Sequence, residues 1–249
     1  MNDIIYFGES PVAQKIGEYF GEKVIFPGSR RELAERLVEK QPIQCFFYEA
    51  DLLKEADRNF IFSIKRHFPL LSLVVIGEPV TEIFPYEIPV IDVRQEKDAI
   101  VDRISLVVKT EGPENRRAYD RFEWILRGRL SLDGERWIDY EVHSLSAGGA
   151  FLKSEGAAPE SGKTAKIIIE FHNFRMRADC EILPVRQASS NLPAGFGIRF
   201  TGLARNSQMI LDEIVSDALF KVLTDPECDV EIPSIEDPDM LSPDFEISL

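Results

Sequence analysis

Three arginines, Arg116, Arg117 and Arg121, stand within six positions of a chain that is otherwise acidic, just after Pro113 and just before a strand-like run. Arginine is always charged, forks its donors to match phosphate oxygens and stacks on flat aromatic faces. Arg117 and Arg121 on one short segment are equipped to grip a phosphate and a purine together. The plainer reading is a solvated charged linker that binds nothing, because runs of charge usually just face water. Further along, a strand from Asp139 ends in Ser144-Leu-Ser146-Ala-Gly148-Gly149, and a new strand begins at Ala150-Phe-Leu152. Glycines in such a turn predict positive φ and backbone amides left open to an anion. The serines offer hydroxyls without bulk.

Together the two stretches resemble the PilZ domain family, whose signature is Arg-x-x-x-Arg followed by (Asp/Asn)-x-Ser-x-x-Gly. The first half is Arg117-Ala-Tyr-Asp-Arg121. The second is the Ser144 to Gly149 turn with its apolar sequel, and Gly195-Phe-Gly-Ile-Arg-Phe200 looks like the family's closing strand. The resemblance covers Asn115 to Val222. It implies a six-stranded antiparallel β-barrel and the ligand cyclic di-GMP, with two guanines and two phosphates. Arg117 and Arg121 would then contact phosphate and the guanine Hoogsteen edges, whose O6 and N7 both accept. Arg116 would reach a second face of the ligand or a second, intercalated molecule. Ser144, Ser146, Gly148 and Gly149 would line the other wall.

One position departs from the signature: Ser144 stands where the family has Asp or Asn. A carboxylate or carboxamide there accepts from guanine N1–H and N2–H₂, whereas serine is shorter and offers one oxygen. A lost hydrogen bond to a buried donor costs about 1–3 kcal/mol, unless water or Asp139 substitutes. The implied function is a cyclic di-GMP receptor that closes on its ligand at the linker and changes the interdomain arrangement. It would signal to an unidentified protein partner, with motility or surface behaviour as the family's usual setting. The alternative is a ligand-free PilZ-like interaction adaptor.

Other chemistry is poorly represented. His67, His143 and His172 are far apart, without metal or triad spacing. No Gly-x-Gly-x-x-Gly occurs, and no nucleophile stands beside a base. Neither an enzyme nor a cofactor is expected. The net charge is −14, and nine of those charges lie after Lys221, from Asp225 to Glu246, leaving −5 for the rest. That argues against a nucleic-acid polymer or an anionic membrane as main partner, while a small dianion held by local arginines stays compatible. No apolar run is long enough to cross a membrane, the longest being Leu70 to Gly77. The N-terminus has no basic region or cleavable apolar block. Cys45, Cys180 and Cys228 are scattered and read as reduced thiols, so the expected location is the cytoplasm.

The elements that must position the site fall into two patterns. Up to residue 109, short apolar runs alternate with amphipathic stretches: strands at Asp3–Phe7, Lys23–Phe26, Gln44–Tyr48, Leu71–Ile76 and Glu87–Val93. Helices are expected at Val12–Phe20, Arg30–Lys40, Leu52–Phe68 and Asp98–Val108, with Ser10 and Ser29 as caps. This predicts a doubly wound parallel sheet of order 2-1-3-4-5 that resembles a response-regulator receiver. The receiver's chemistry is missing: Glu9 stands alone after strand one, Glu49 ends strand three, and Asp92 lies where a lysine belongs. The module is read as degenerate, with Glu49 either an ordinary loop carboxylate or a permanent mimic of a phosphorylated side chain.

Residues 110–121 break the pattern and form the linker that carries the arginines. From 122 to 223 the period becomes two, giving six antiparallel strands and a helix over Ser207–Val222. That helix has an apolar stripe of Met209, Ile210, Ile214, Ala218 and Leu219, expected to plug the barrel or, failing that, to seam a dimer. Residues 224–249 are acidic and contain Pro226, Pro233, Pro238 and Pro243, so a disordered or only locally ordered tail is expected. Its apolar islands, Met240-Leu241 and Phe245 to Leu249, are candidates to dock on a partner or on the chain itself.

Overall fold

The computed structural model describes residues 3–39, 43–79, 88–110, 119–154, 156, 158–188, 193–234 and 243–247. Contacts divide the chain into two compact units, residues 1–117 with 219–229, and residues 118–218 with 230–249.

The first unit carries β1 (Asp3–Phe7), α1 (Pro11–Phe20), β2 (Val24–Ile25), α2 (Arg30–Val38), β3 (Ile43–Glu49), α3 (Glu55–His67), β4 (Leu73–Gly77), β5 (Val90–Asp92) and α4 (Lys97–Thr110). Its five strands are parallel in the order β2-β1-β3-β4-β5, as the alternating pattern predicts. Ser10 and Ser29 cap α1 and α2, their hydroxyls accepting from the Val12 and Glu32 amides. One face of the sheet buries Ile4, Tyr6 and Phe47 with Ile16 of α1 and Ile100 and Ile104 of α4. On the other, Tyr48 meets Phe60 of α3 edge-on at 5.3 Å. The third helix starts three residues later than its periodicity predicts. Asp57 Oδ2 accepts from the Asp51 amide at 2.9 Å, and Arg58 donates to the Leu52 and Leu53 carbonyls. These bonds hold 51–54 as a turn instead of a first helical turn. Of the fifth predicted strand, Val90–Asp92 is extended, and Glu87 lies outside the described residues.

The second unit carries β6 (Leu126–Ser131), β7 (Ile138–Ser146), β8 (Gly149–Lys153), β9 (Thr164–Glu170), β10 (Phe174–Arg186), β11 (Gly195–Phe200), residues 205–218 of α5 (Arg205–Thr224) and β12 (Phe245–Ile247). The strands β6 to β11 run β11-β8-β7-β6-β9-β10, and β10 pairs back onto β11, so six antiparallel strands close into a barrel. Alternate residues point inward: Leu126 and Leu130, Ile167 and Ile169, Phe174, Met176 and Ala178 are all buried. Pro184 falls where the β10–β11 register shifts, a place that asks no amide of it.

One expectation changes here, and one alternative left open for the tail is realised. The buried stripe of α5 is Ser207, Leu211, Val215, Ala218, Leu219 and Leu223, while Met209 is 61% exposed. A helix this apolar admits two overlapping stripes, and only packing chooses between them. The end of the tail is ordered: Phe245–Ile247 joins the sheet against β10. Met240-Leu241 lies outside the described residues.

Candidate functional site

In the second unit, β7 and β8 are joined through Ala147-Gly148, with Ser146 paired to Gly149 and Leu145 to Ala150. Ser144 and Ser146 are buried, 5% and 4% exposed. The Ser146 hydroxyl donates to the Gly149 carbonyl at 3.0 Å, so its proton is spent closing the turn.

The glycines are there for a different reason than the sequence suggests. Neither Gly148 nor Gly149 has a positive φ. A Cβ on Gly149 would stand 2.0 Å from the Ile198 carbonyl oxygen of β11, the strand paired with β8 at this point. A Cβ on Gly148 would stand 2.7 Å from the Tyr119 ring. Close approach of two neighbours, not turn geometry, favours glycine at both positions: the Ile198 backbone bars a side chain at 149, and the Tyr119 ring crowds one at 148.

Tyr119 belongs to the arginine segment. Three residues on, Phe122 and Leu145 exchange two backbone hydrogen bonds, each of 2.9 Å. Antiparallel pairing therefore sets Arg121 beside Ser146 and Glu123 beside Ser144. Phe122 and Trp124 are buried, their rings 4.5 Å apart, and anchor the segment to the barrel. Arg121 itself is half-buried. The structure thus brings Arg121, Ser144, Ser146, Gly148 and Gly149 together. Arg116 and Arg117 lie outside the described residues.

Sequence reasoning passed over Tyr119, whose signal was an aromatic inside the arginine motif. It also passed over Arg186, whose guanidinium stands 5.9 Å over the Phe151 ring on β8. His143, the residue at the β7 register shift, has Nε2 3.9 Å from Glu123 Oε2.

The first unit has a cleft of about 470 Å³ beyond the C-terminal ends of β3 and β4. Its described lining includes Glu49, Asp51 and Glu78 and, among the described residues, no lysine or arginine, a poor host for an anion. Glu49 accepts from the Tyr6 and Ser10 hydroxyls and from the Ser10 amide. Burial, and then this carboxylate, push the Tyr6 phenol well above its usual range. At the end of β5, Asp92 takes both the Nε and Nη2 of Arg94, which lowers its carboxyl to about 2. Among the described residues no group of three or more His, Cys, Asp or Glu is placed to hold a metal ion. Nor is any described helix long and apolar enough to cross a membrane.

The PilZ domain family model matches residues 115–217. Among solved structures, the Bacillus subtilis inhibitor of motility MotI (DgrA) is similar at 20% identity and TM-score 0.36, over 41% of this chain and 50% of that one. The cyclic di-GMP-bound PilZ domain of Escherichia coli YcgR is similar at 16% identity and TM-score 0.35, over 41% of this chain and 91% of that domain. The K. pneumonia MrkH–cyclic di-GMP complex is similar at 14% identity and TM-score 0.36, over 44% of this chain and 54% of that one. This chain spans about half the length of MotI and MrkH. No curated protein sequence matches it.

Proposed function

We propose, from the premise that its C-terminal half is a PilZ domain, that this chain is a cyclic di-GMP receptor. The observation that carries the reading is the two-bond bridge between Phe122 and Leu145, with Tyr119 laid over Gly148. It sets the arginine segment along the serine–glycine turn, where the two walls of a small nucleotide site would have to be. In this reading Arg117 and Arg121 fork onto phosphate and guanine. Arg116 supplies a further contact. Ser144, the Ser146 lone pairs and the backbone at Gly148 and Gly149 form the facing wall.

The arginines end the segment that joins the two units, so closure of that segment on a ligand gives occupancy a lever on the units' arrangement. We take the output to be a non-enzymatic signal to a protein partner. Its setting in motility or surface behaviour rests on the family resemblance alone. A net charge of −14 speaks against a nucleic-acid polymer as that partner.

Calorimetric titration of cyclic di-GMP into the full chain tests this. Wild type should bind, and Arg117→Ala and Arg121→Ala should each weaken binding by roughly ten- to a hundredfold, the value of about 1.5–3 kcal/mol for hydrogen bonds to a charged group. A second reading, a ligand-free adaptor, is favoured by the burial of Ser144 and by the hydroxyl that Ser146 spends on Gly149. A folded wild type that gives no heat would establish that reading and sink the first.

A further inference from the structure

The outer edge of β10 is shared by two strands. The half from Cys180 to Arg186 pairs with β11 and closes the barrel. The half from Phe174 to Met176 pairs with β12, antiparallel, and the Arg177 amide donates to the Asp244 carbonyl at 2.8 Å. The six-strand closure does not use β12, so β12 can leave without opening the barrel.

What holds β12 is specific. Phe245 is 5% exposed, its ring edge-on to Phe174 at 5.5 Å. Asp244 Oδ2 accepts from the Ala204 amide at 2.8 Å and from the buried Ser207 hydroxyl. A carboxylate there meets the positive end of the α5 dipole. Glu246 takes Arg175 through Nε and Nη2, at 2.7 and 2.6 Å, and Arg177 through Nε at 3.0 Å. An edge that offers two arginines, a helix N-terminus and an aromatic platform reads one pattern: acid, aromatic, acid, aliphatic.

We propose that this edge is a docking site for an acidic strand of that pattern, filled in cis by Asp244-Phe-Glu-Ile247 and open to such a strand from a partner protein. Main-chain pairing at an exposed sheet edge supplies affinity, and alternate side-chain pockets supply specificity. Among the described residues the cis strand has three register pairs and one buried ring, so a competing strand can displace it. This site shares no residue with the arginine–serine site, and its test does not involve the nucleotide.

The probe is a labelled peptide of residues 242–249, titrated by fluorescence anisotropy into full-length protein. In the full-length triple variant Asp244→Asn, Phe245→Ser, Glu246→Gln, the edge is vacated. This variant should bind the peptide at least tenfold more tightly than wild type, whose own tail competes. Adding Arg175→Glu and Arg177→Glu should remove that binding, and a scrambled peptide should show none. A folded triple variant that binds no better than wild type, or binds the scrambled peptide equally, overturns the proposal. Should the triple variant not fold, hydrogen exchange on wild type decides. Excess peptide should speed exchange at 245–247, and unchanged exchange overturns the proposal. A wild-type dimer that the triple variant abolishes would overturn it as well, by assigning the edge to a second copy.

Discussion

Replacing Gly149 by alanine and, separately, Gly148 by alanine should have opposite signatures, although the glycines are neighbours in one turn. The added methyl at 149 would meet the Ile198 oxygen at 2.0 Å, and real Cβ atoms essentially never come within 3.0 Å of such a neighbour, so β8 and β11 must part by about 1 Å. The obstacle is backbone, locked in the Arg199↔Gly149 ladder pair, and cannot rotate aside. Overpacking costs about 1–3 kcal/mol, and a weakened ladder hydrogen bond adds about 1 kcal/mol. For a unit of this size that is a fall in Tm of roughly 10–20 °C. At 148 the obstacle is the Tyr119 ring, which can swing away for about 0.5–1.5 kcal/mol. That cost falls on the arginine segment, so cyclic di-GMP affinity should drop roughly two- to tenfold while the barrel stays stable. The chain's two tryptophans, Trp124 and Trp137, both lie in the barrel unit, so urea unfolding followed by tryptophan fluorescence reports on it selectively. Equal destabilisation by the two variants, or a Gly149→Ala loss below about 0.5 kcal/mol, would refute the close-approach argument.

Three further outcomes are expected. Ser144→Asn supplies an acceptor of the family's type in the proposed wall, two residues from the Ser146 that pairs with Arg121, and should tighten cyclic di-GMP binding by roughly tenfold, about the 1–3 kcal/mol of one hydrogen bond to a buried donor; weaker binding in the titration would show that the buried wall has no room for it. Glu49→Gln turns an NH₂ toward converging donors from Tyr6 and Ser10, and should cost the first unit about 1–3 kcal/mol in a melt followed by circular dichroism, an unchanged melt being the contrary result. Burial, with a smaller push from Asp179, raises the Cys180 thiol from 9.0 to about 12. Below pH 9 both folded and unfolded thiols keep their protons and this group's contribution is fully present. Above it the unfolded thiol ionises first, so barrel stability should fall between pH 9 and about 12, less steeply in Cys180→Ala. A base titration in which the variant tracks wild type would contradict this.

Much of the architecture was legible because it is written in local periods. Ser10-Pro11 and Ser29 announce helix starts through bonds to residues two and three positions away. The change from helical spacing to alternation after Phe122 separates the sheet types without any knowledge of partners. Where spacing and structure part, the cause is tertiary. Periodicity extends the third helix to Leu52–Phe68 because it cannot see that Asp57 and Arg58 reach back to bond a turn. It turns Met209 inward because the stripe of α5 has two nearly equivalent solutions.

The residue types and order of the arginine segment and the serine–glycine turn, and the alternation that makes a barrel, follow from the amino-acid sequence alone. They are properties of residues near one another in the chain. That Gly149 yields to Ile198, that Gly148 yields to Tyr119, and that Phe245 completes the edge of β10 were decided only when distant strands took their register. Each depends on which backbone passes over which. A register between segments tens of residues apart leaves no trace in the spacing of either one.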